Sequence, residues 1–379
     1  MKKIRVGVVG LGHRGRHMLN LSAKGFGDIV EPAAACDIRP HNWYEKQWLS
    51  DAPMAEMFPN AQFFEDYDTM LEKADLDVVI VETGADIHAE FCCKALARNI
   101  NVLSDIPVVA NLTEAEELWK AAEKSSAIIS VGSNPNEQKF TVLLNEFFKK
   151  GLLGNPYCME AEYIHWSLPG SESSIHLNEN GDWRKLLSPI RYCTHSLGPL
   201  LTIVPEVLRK VTCFGTGRHA DDYGNSINKD DMQCAQFQTD SGIVIRVMRN
   251  GRCRADIGHH TYRVFGTQGY MEKTERMGKA VIRYNSQNEL DTKLKEIGGE
   301  YMPPAYANDP RMVAGHGGVD FAMLDHFFIA IQNGGLAPIT LKEGLAMTLP
   351  GIYAEESAKR GGELMRMRYP WDPDWTASF

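Results

Sequence analysis

The segment PIRYCTHSLGP, residues 189–199, holds Tyr192 and His195 three positions apart. On a helix that spacing brings a phenol and an imidazole onto one face. Upstream, PYCMEAEYIHWS holds Tyr163 and His165 two positions apart, which on a strand again means one face. Imidazole titrates at about 6.5 and can take or give a proton at neutral pH. A phenol, at about 10, gives a proton readily and acts as a base only when its surroundings lower it. Two surfaces, each with one phenol and one imidazole, make a proton-transfer site if the fold makes them converge. The plainer reading of the same residues is packing, since a helix histidine is usually a hydrogen-bonded core residue and a strand tyrosine a sheet aromatic. His259 and His260, just ahead of a strand-like run, read as a strand entrance with no metal role.

A second constellation lies near the start of the chain. VGVVGLGHRG sets Gly10, Gly12 and Gly15 in a Gly-x-Gly-x-x-Gly pattern, with His13 and Arg14 between the last two glycines. It follows an apolar, β-branched run and precedes a helical pattern. The first glycine allows a tight turn and the second lets backbone approach a pyrophosphate. The third lets helix and strand pack closely, while the helix N-terminus faces the negative charge. Asp37 closes the next apolar run, 22 residues after Gly15. A carboxylate there accepts both hydroxyls of an adenosine ribose and repels a 2′-phosphate, so the cofactor read from the pattern is NAD rather than NADP. Arg39 is the group that can turn toward a phosphate instead.

These side chains need scaffolds. In residues 1–134 apolar runs (IRVGVVG, EPAAACD, DVVIVETG, NVLSD, AIISVGS) alternate with helical patterns. That alternation predicts an α/β Rossmann domain, a doubly wound parallel sheet covered on both faces. One of its helices, TEAEELWKAAEKSS, opens with Thr113 and Glu116 at capping-box spacing. Residues 135–379 predict an α+β substrate and oligomerisation domain with a large, mostly antiparallel sheet. Its strand-like runs extend from PYCMEAEYIHWS to KAVIRYN, with TDSG as a hairpin turn. Two late helical stretches, GGVDFAMLDHFFIAIQNG and LKEGLAMTLPGIYAEESAKR, are free to pack back on the first domain, and RYPWDPDWTASF reads as an irregular arm.

Composition narrows the function classes. The chain has 379 residues, 44% of them hydrophobic and 23% charged, with a formal net charge of −9. A negative chain without a basic block excludes nucleic acid as the partner. The opening MKKIRVGVVGLGHRGRHM starts like a signal peptide, but glycines and charges break its apolar stretch. No run of about 18 apolar residues occurs, so no membrane partner is expected and the localisation expected is cytoplasmic. Eight cysteines without a CxxC pair read as reduced structural thiols and offer no metal site.

With the glycine motif, DVVIVETGADIHAEFCCKALARNINVLSDIP and the strand-rich second half together, the whole chain resembles the Gfo/Idh/MocA oxidoreductase family. The resemblance implies that Thr83 and His88 lie near the cofactor, with Asp105 and Pro107 beside the nicotinamide ribose. It also implies a C-terminal sheet that closes over the nicotinamide and builds oligomer contacts; an exposed antiparallel sheet face points to a homodimer or homotetramer. Sugar dehydrogenases of the family usually carry Glu-Lys-Pro where this chain has Asp105-Ile106-Pro107, and an aspartate where it has Arg191. Isoleucine moves no proton, and arginine is too weak an acid to release one.

Tyr192-x-Thr194-His195-x-Leu197-Gly198-Pro199 looks like the YxTHxLGP motif of glycoside hydrolase family 109, supported by Tyr163-Ile164-His165 and by Gly315-His316-Gly317-Gly318-x-Asp320. That branch implies a tightly held NAD and a redox cycle ending in hydrolysis of an α-linked N-acetylgalactosamine. Carried over, Tyr163, His165, Tyr192 and His195 form the catalytic cluster. His195 is assigned to the C3 hydroxyl, and Tyr192 and His165 to the C2 proton or the leaving group, in either order. Trp183, Arg184 and His316 are expected to line the carbohydrate or glycoside substrate. The alternatives are a net dehydrogenase or ketoreductase of a sugar or inositol, and a non-catalytic NAD-binding regulator.

Overall fold

A computed structural model of the chain describes residues 2–47, 50–165, 188–217, 219, 230–250, 260–276, 279–300, 302–312 and 315–379. Two compact units divide it: Met1–Gly132 with Ala305–Gly344, and Ser133–Pro304 with Leu345–Phe379. The strands are β1 (Ile4–Val9), β2 (Val30–Cys36), β3 (Gln62–Phe64), β4 (Val78–Val81), β5 (Asn101–Ser104), β6 (Ile129–Val131), β7 (Pro156–Ile164), β8 (Leu208–Gly215), β9 (Met232–Thr239), β10 (Val244–Asn250), β11 (His260–Gly266), β12 (Gly269–Arg276), β13 (Lys279–Ser286), β14 (Lys295–Gly298) and β15 (Met365–Arg366). The longer helices are α1 (His13–Phe26), α2 (Tyr67–Lys73), α3 (His88–Leu96), α4 (Leu112–Lys124), α5 (Lys139–Lys149), α6 (Thr194–Leu201), α7 (Val319–Asn333) and α8 (Leu341–Lys359).

In the first unit six parallel strands run in the order β3-β2-β1-β4-β5-β6. Chain order reverses between β1 and β4, and that reversal opens a crevice at the carboxyl ends of the strands. The all-apolar β4, VVIV, is buried over its whole length, as a strand covered on both faces must be. Helix α7 belongs to this unit because VDFAMLDHFFIAIQN is apolar almost all round. Its Phe321 stacks on Phe26 of α1 at 4.7 Å between ring centroids, and Phe328 meets the same ring edge-on at 5.2 Å. Burying each such ring is worth about 1.5–3 kcal/mol.

Helix α4 starts two residues earlier than the capping box at Thr113 and Glu116 predicts. Asn111 is extended and its side chain accepts the Glu114 N–H at 2.9 Å. Glu114 in turn accepts the Ala110 N–H at 2.6 Å. An asparagine that reaches back to the third residue satisfies the first turn's donors, so Thr113 is left inside the helix.

The second unit is built on nine strands in the order β14-β13-β12-β11-β7-β10-β9-β8-β15. Among the described strands of this sheet only β7 and β10 pair in parallel; the rest are antiparallel. The TDSG turn joins β9 to β10, with Gly242 at φ +98° donating to the Thr239 carbonyl. The irregular tail is anchored rather than loose. Tyr369 is fully buried and donates to the Leu208 carbonyl at 2.8 Å, and Arg209 grips Asp372 with both terminal guanidinium nitrogens. The short strands β3, β14 and β15 carry no alternating pattern long enough to read from the chain.

Candidate functional site

Three glycines shape the crevice of the first unit, each for a different steric reason. Gly10 sits at φ +87°, and a Cβ there would lie 2.7 Å from the Glu82 carbonyl oxygen. A Cβ on Gly15 would fall 1.8 Å from the Gly10 carbonyl oxygen. Around Gly12 a Cβ would meet no atom within 4 Å, so this position faces open space at the N-terminus of α1. That open cradle, in front of exposed helix N–H groups, fits a dinucleotide pyrophosphate. Asp37 closes the turn from the end of β2: its carboxylate accepts the N–H groups of Leu11 at 2.6 Å and Arg39 at 2.8 Å, and the amide of Asn42 at 3.1 Å. A carboxylate has room for further donors, so a ribose hydroxyl fits beside these. His13 opens α1 on the exposed side of the same turn.

The loops after β4 and β5 are tied together. His88, 1% exposed, contacts the Pro107 carbonyl at 3.0 Å and the Thr83 carbonyl at 2.9 Å. It therefore holds the loops, while Thr83 and Asp105 stand at the strand ends. The Ile106–Pro107 bond is cis.

Arg14 points into a group of acids. Its guanidinium is 2.7 Å from Asp320 and 3.8 Å from Glu82. Burial alone would lower its pKa, but Asp320, Glu82 and Asp105 outweigh that and hold it above its ordinary value. Asp320 is wholly buried and also meets His17 at 3.1 Å and His316 at 2.7 Å. Burial would raise its carboxyl, but Arg14 and the two histidines hold it well below the usual carboxylate range. His316 sits at φ +45°, followed by Gly317 at +68° and Gly318 at +91°. A left-handed non-glycine residue is strained, and its bond to Asp320 offsets that strain. His316, expected beside substrate, is thus placed next to Arg14 and the glycine turn.

In the second unit the sequence-predicted tyrosines and histidines meet. Residues 189–192 form a 3-10 turn and α6 follows, so Tyr192 and His195 share a face with ring centroids 4.8 Å apart. Tyr163 lies 5.2 Å from His195, 6.2 Å from Tyr192 and 5.4 Å from His165. The YxTHxLGP residues explain the local geometry. Pro199 has no N–H to offer the His195 carbonyl four residues back; the Tyr262 hydroxyl donates to that carbonyl instead, at 2.7 Å. A Cβ on Gly198 would lie 2.4 Å from the Asn136 side-chain oxygen, so only glycine lets α6 sit this close to residues 133–136. Arg191 is buried in an ion pair with Glu355 at 3.0 Å.

Two members of this cluster were not picked out as catalytic candidates from the sequence. Tyr163 on β7 stands directly opposite His260 on β11 and Arg249 on β10. His260 stacks on the Tyr163 ring at 4.5 Å, with an 8° tilt, and lies 5.4 Å from His195. The Arg249 guanidinium lies over the Tyr163 ring, 4.1 Å from its centroid, with Nη1 donating to the Tyr163 and Asn250 carbonyls. His260 reads from the sequence only as a strand entrance, just ahead of a strand-like run; Arg249 carries no signal there, because only strand register puts it here. Trp183 and Arg184, expected to line the substrate, lie outside the described residues.

The chain is similar to several known proteins. Residues 4–133 match the Gfo/Idh/MocA oxidoreductase family, NAD-binding Rossmann fold. A glycosyl hydrolase family 109 protein of Shewanella pealeana is 23% identical over 94% of this chain and 83% of its own length. An alpha-N-acetylgalactosaminidase of Shewanella oneidensis is likewise 23% identical over the same shares. Levoglucosan dehydrogenase, solved in complex with NADH and levoglucosan, has a similar fold: its TM-score is 0.75 at 17% identity, covering 96% of this chain and 99% of that one.

Proposed function

We propose, for a chain whose residues 4–133 match the Gfo/Idh/MocA family of NAD-binding oxidoreductases, a sugar-active enzyme working at C3 of a glycoside ring. The full cycle is oxidation, elimination, hydration and reduction, with hydrolysis as its net result. The observation that carries this reading is the gathering of Tyr163, Tyr192, His165, His195 and His260 into one cluster with Arg249 over it. Curated relatives named as glycosyl hydrolase family 109 proteins and an alpha-N-acetylgalactosaminidase support a glycoside as substrate.

The glycine turn at Gly10, Gly12 and Gly15, with His13 and Arg14 on its helix and Asp37 at the ribose, would hold NAD. Thr83 and Asp105 border the same crevice at the strand ends, tied by His88 and Pro107. When bound, NAD supplies a reversible hydride acceptor, which lets a ring carbon stand temporarily at the ketone level.

The chain's own work is then proton transfer at three atoms: off the C3 hydroxyl, off C2, and onto the departing group. His195 takes the C3 hydroxyl proton, because an imidazole changes protonation near neutral pH. Its backbone is fixed by the Tyr262 hydrogen bond and by the close approach at Gly198, which supplies the preorganisation that proton transfer needs. Tyr192 and His165 serve C2 and the leaving group. Tyr163 is held between the flat face of His260 and the Arg249 cation, which fixes its ring beside His195. Ile106 and Arg191, the latter engaged with Glu355, stand where the sugar dehydrogenases this chain resembles carry the lysine and the aspartate.

The test is to offer aryl and alkyl α- and β-glycosides to the purified protein in deuterated water. Cleavage with deuterium at C2 and no net NADH is the expected result. Stoichiometric NADH without cleavage would replace this reading by a net dehydrogenase.

A further inference from the structure

The charged knot around Arg14 is not used by the proton chemistry above. One arginine there faces three carboxylates from three elements: Asp320 on α7, Glu82 at the end of β4 and Asp105 at the end of β5. Asp320 is taken up by Arg14, His17 and His316. Glu82 is different. Its side chain is 2% exposed, its Oε2 stands 3.8 Å from Arg14 Nε, and that oxygen has no hydrogen-bond partner. It also forms the wall of the glycine turn, since its carbonyl underlies Gly10 and its Cβ would lie 3.3 Å from a Cβ on Gly15.

Burying the Glu82 and Asp320 carboxylates beside one arginine, with a half-buried Asp105 alongside, is costly, and the group worst placed takes a proton instead. Burial raises the Glu82 pKa well above the usual carboxylate range. Asp105 and Asp320 push the same way, and Arg14 offsets them only in part.

We infer that NAD binds the form of this protein in which Glu82 carries a proton, so that Glu82 sets an alkaline limit on cofactor retention. A neutral Glu82 shares its proton with the Asp105 carboxylate and adds no charge behind the turn. An ionised one adds a negative charge beside the pyrophosphate site, in a crevice where charge is poorly screened. The inference rests on the dinucleotide site alone and is independent of the glycoside reading.

The experiment measures NAD affinity of the full chain by calorimetry from neutral to alkaline pH, with no substrate present. Wild-type affinity falls by up to about tenfold per pH unit once Glu82 ionises. Glu82→Gln, a neutral isostere, keeps the neutral-pH affinity throughout. An identical decline in Glu82→Gln, or loss of its binding at every pH, overturns the inference. Should that variant fail to fold, wild-type binding heats in two buffers of different ionisation enthalpy decide the matter: proton uptake on binding NAD at alkaline pH supports it, and zero uptake sinks it.

Discussion

Lys273 offers a sharp test of how burial sets this protein's stability. It lies on β12, is 1% exposed, and donates to the Gln138 side chain at 3.2 Å, with its ammonium 6.0 Å from the Tyr262 ring. Loss of water pushes its pKa from an ordinary 10.5 down to about 8, against the opposing charge of Glu275. Between those two values the unfolded chain binds a proton that the folded chain does not. Stability therefore rises with pH across that window, and the whole penalty stands below about 8.

Converted to free energy, the penalty is about 3 kcal/mol. Lys273→Met keeps the aliphatic stem and removes the charge. Allowing about 1 kcal/mol for the lost hydrogen bond, the variant is more stable by about 2 kcal/mol at neutral pH. That advantage vanishes as pH approaches the ordinary lysine value. Buried thiols such as Cys193 and Cys213, pushed up to about 12 by burial, lose stability for the fold in the same alkaline range. The difference between variant and wild type, rather than either curve alone, isolates Lys273. The assay is urea unfolding of both proteins over a pH series. A difference that does not change with pH would refute the reasoning.

Two further outcomes follow from the site geometry. His195→Ala retains NAD affinity and loses turnover by about 10²–10⁴-fold; a steady-state assay beside a binding measurement checks this, and unchanged turnover removes His195 from the mechanism. Gly15→Ala and Gly12→Ala separate fold from function. The first puts a methyl 1.8 Å from a carbonyl oxygen and costs about 3 kcal/mol or more. The second meets no protein atom within 4 Å, so its melting temperature matches wild type while NAD affinity drops; normal affinity in Gly12→Ala would show that the cradle is not the pyrophosphate site.

Much of this was legible along the chain because the determinants are local. The turn after β1 needs a positive φ at Gly10, space at Gly12 and a close contact at Gly15, and all three follow from a strand running directly into a helix. Tyr192 and His195 share a face through the few bonds that separate them, and Gly198 and Pro199 explain why α6 sits where it does. Even the misplaced cap of α4 erred by only two residues, because Asn111 and Thr113 compete for the same role. What only the tertiary structure decided is which distant groups meet. Tyr163 faces His260 and Arg249 through the register of three neighbouring strands, and a slip of one residue would turn each side chain to the other face of the sheet. Arg14 finds Asp320 from the opposite end of the chain because α7 carries its phenylalanines to α1. Periodicity and turn chemistry are properties of neighbours in sequence; register and charge pairing are settled by the packing of whole sheets and helices, which no short stretch contains.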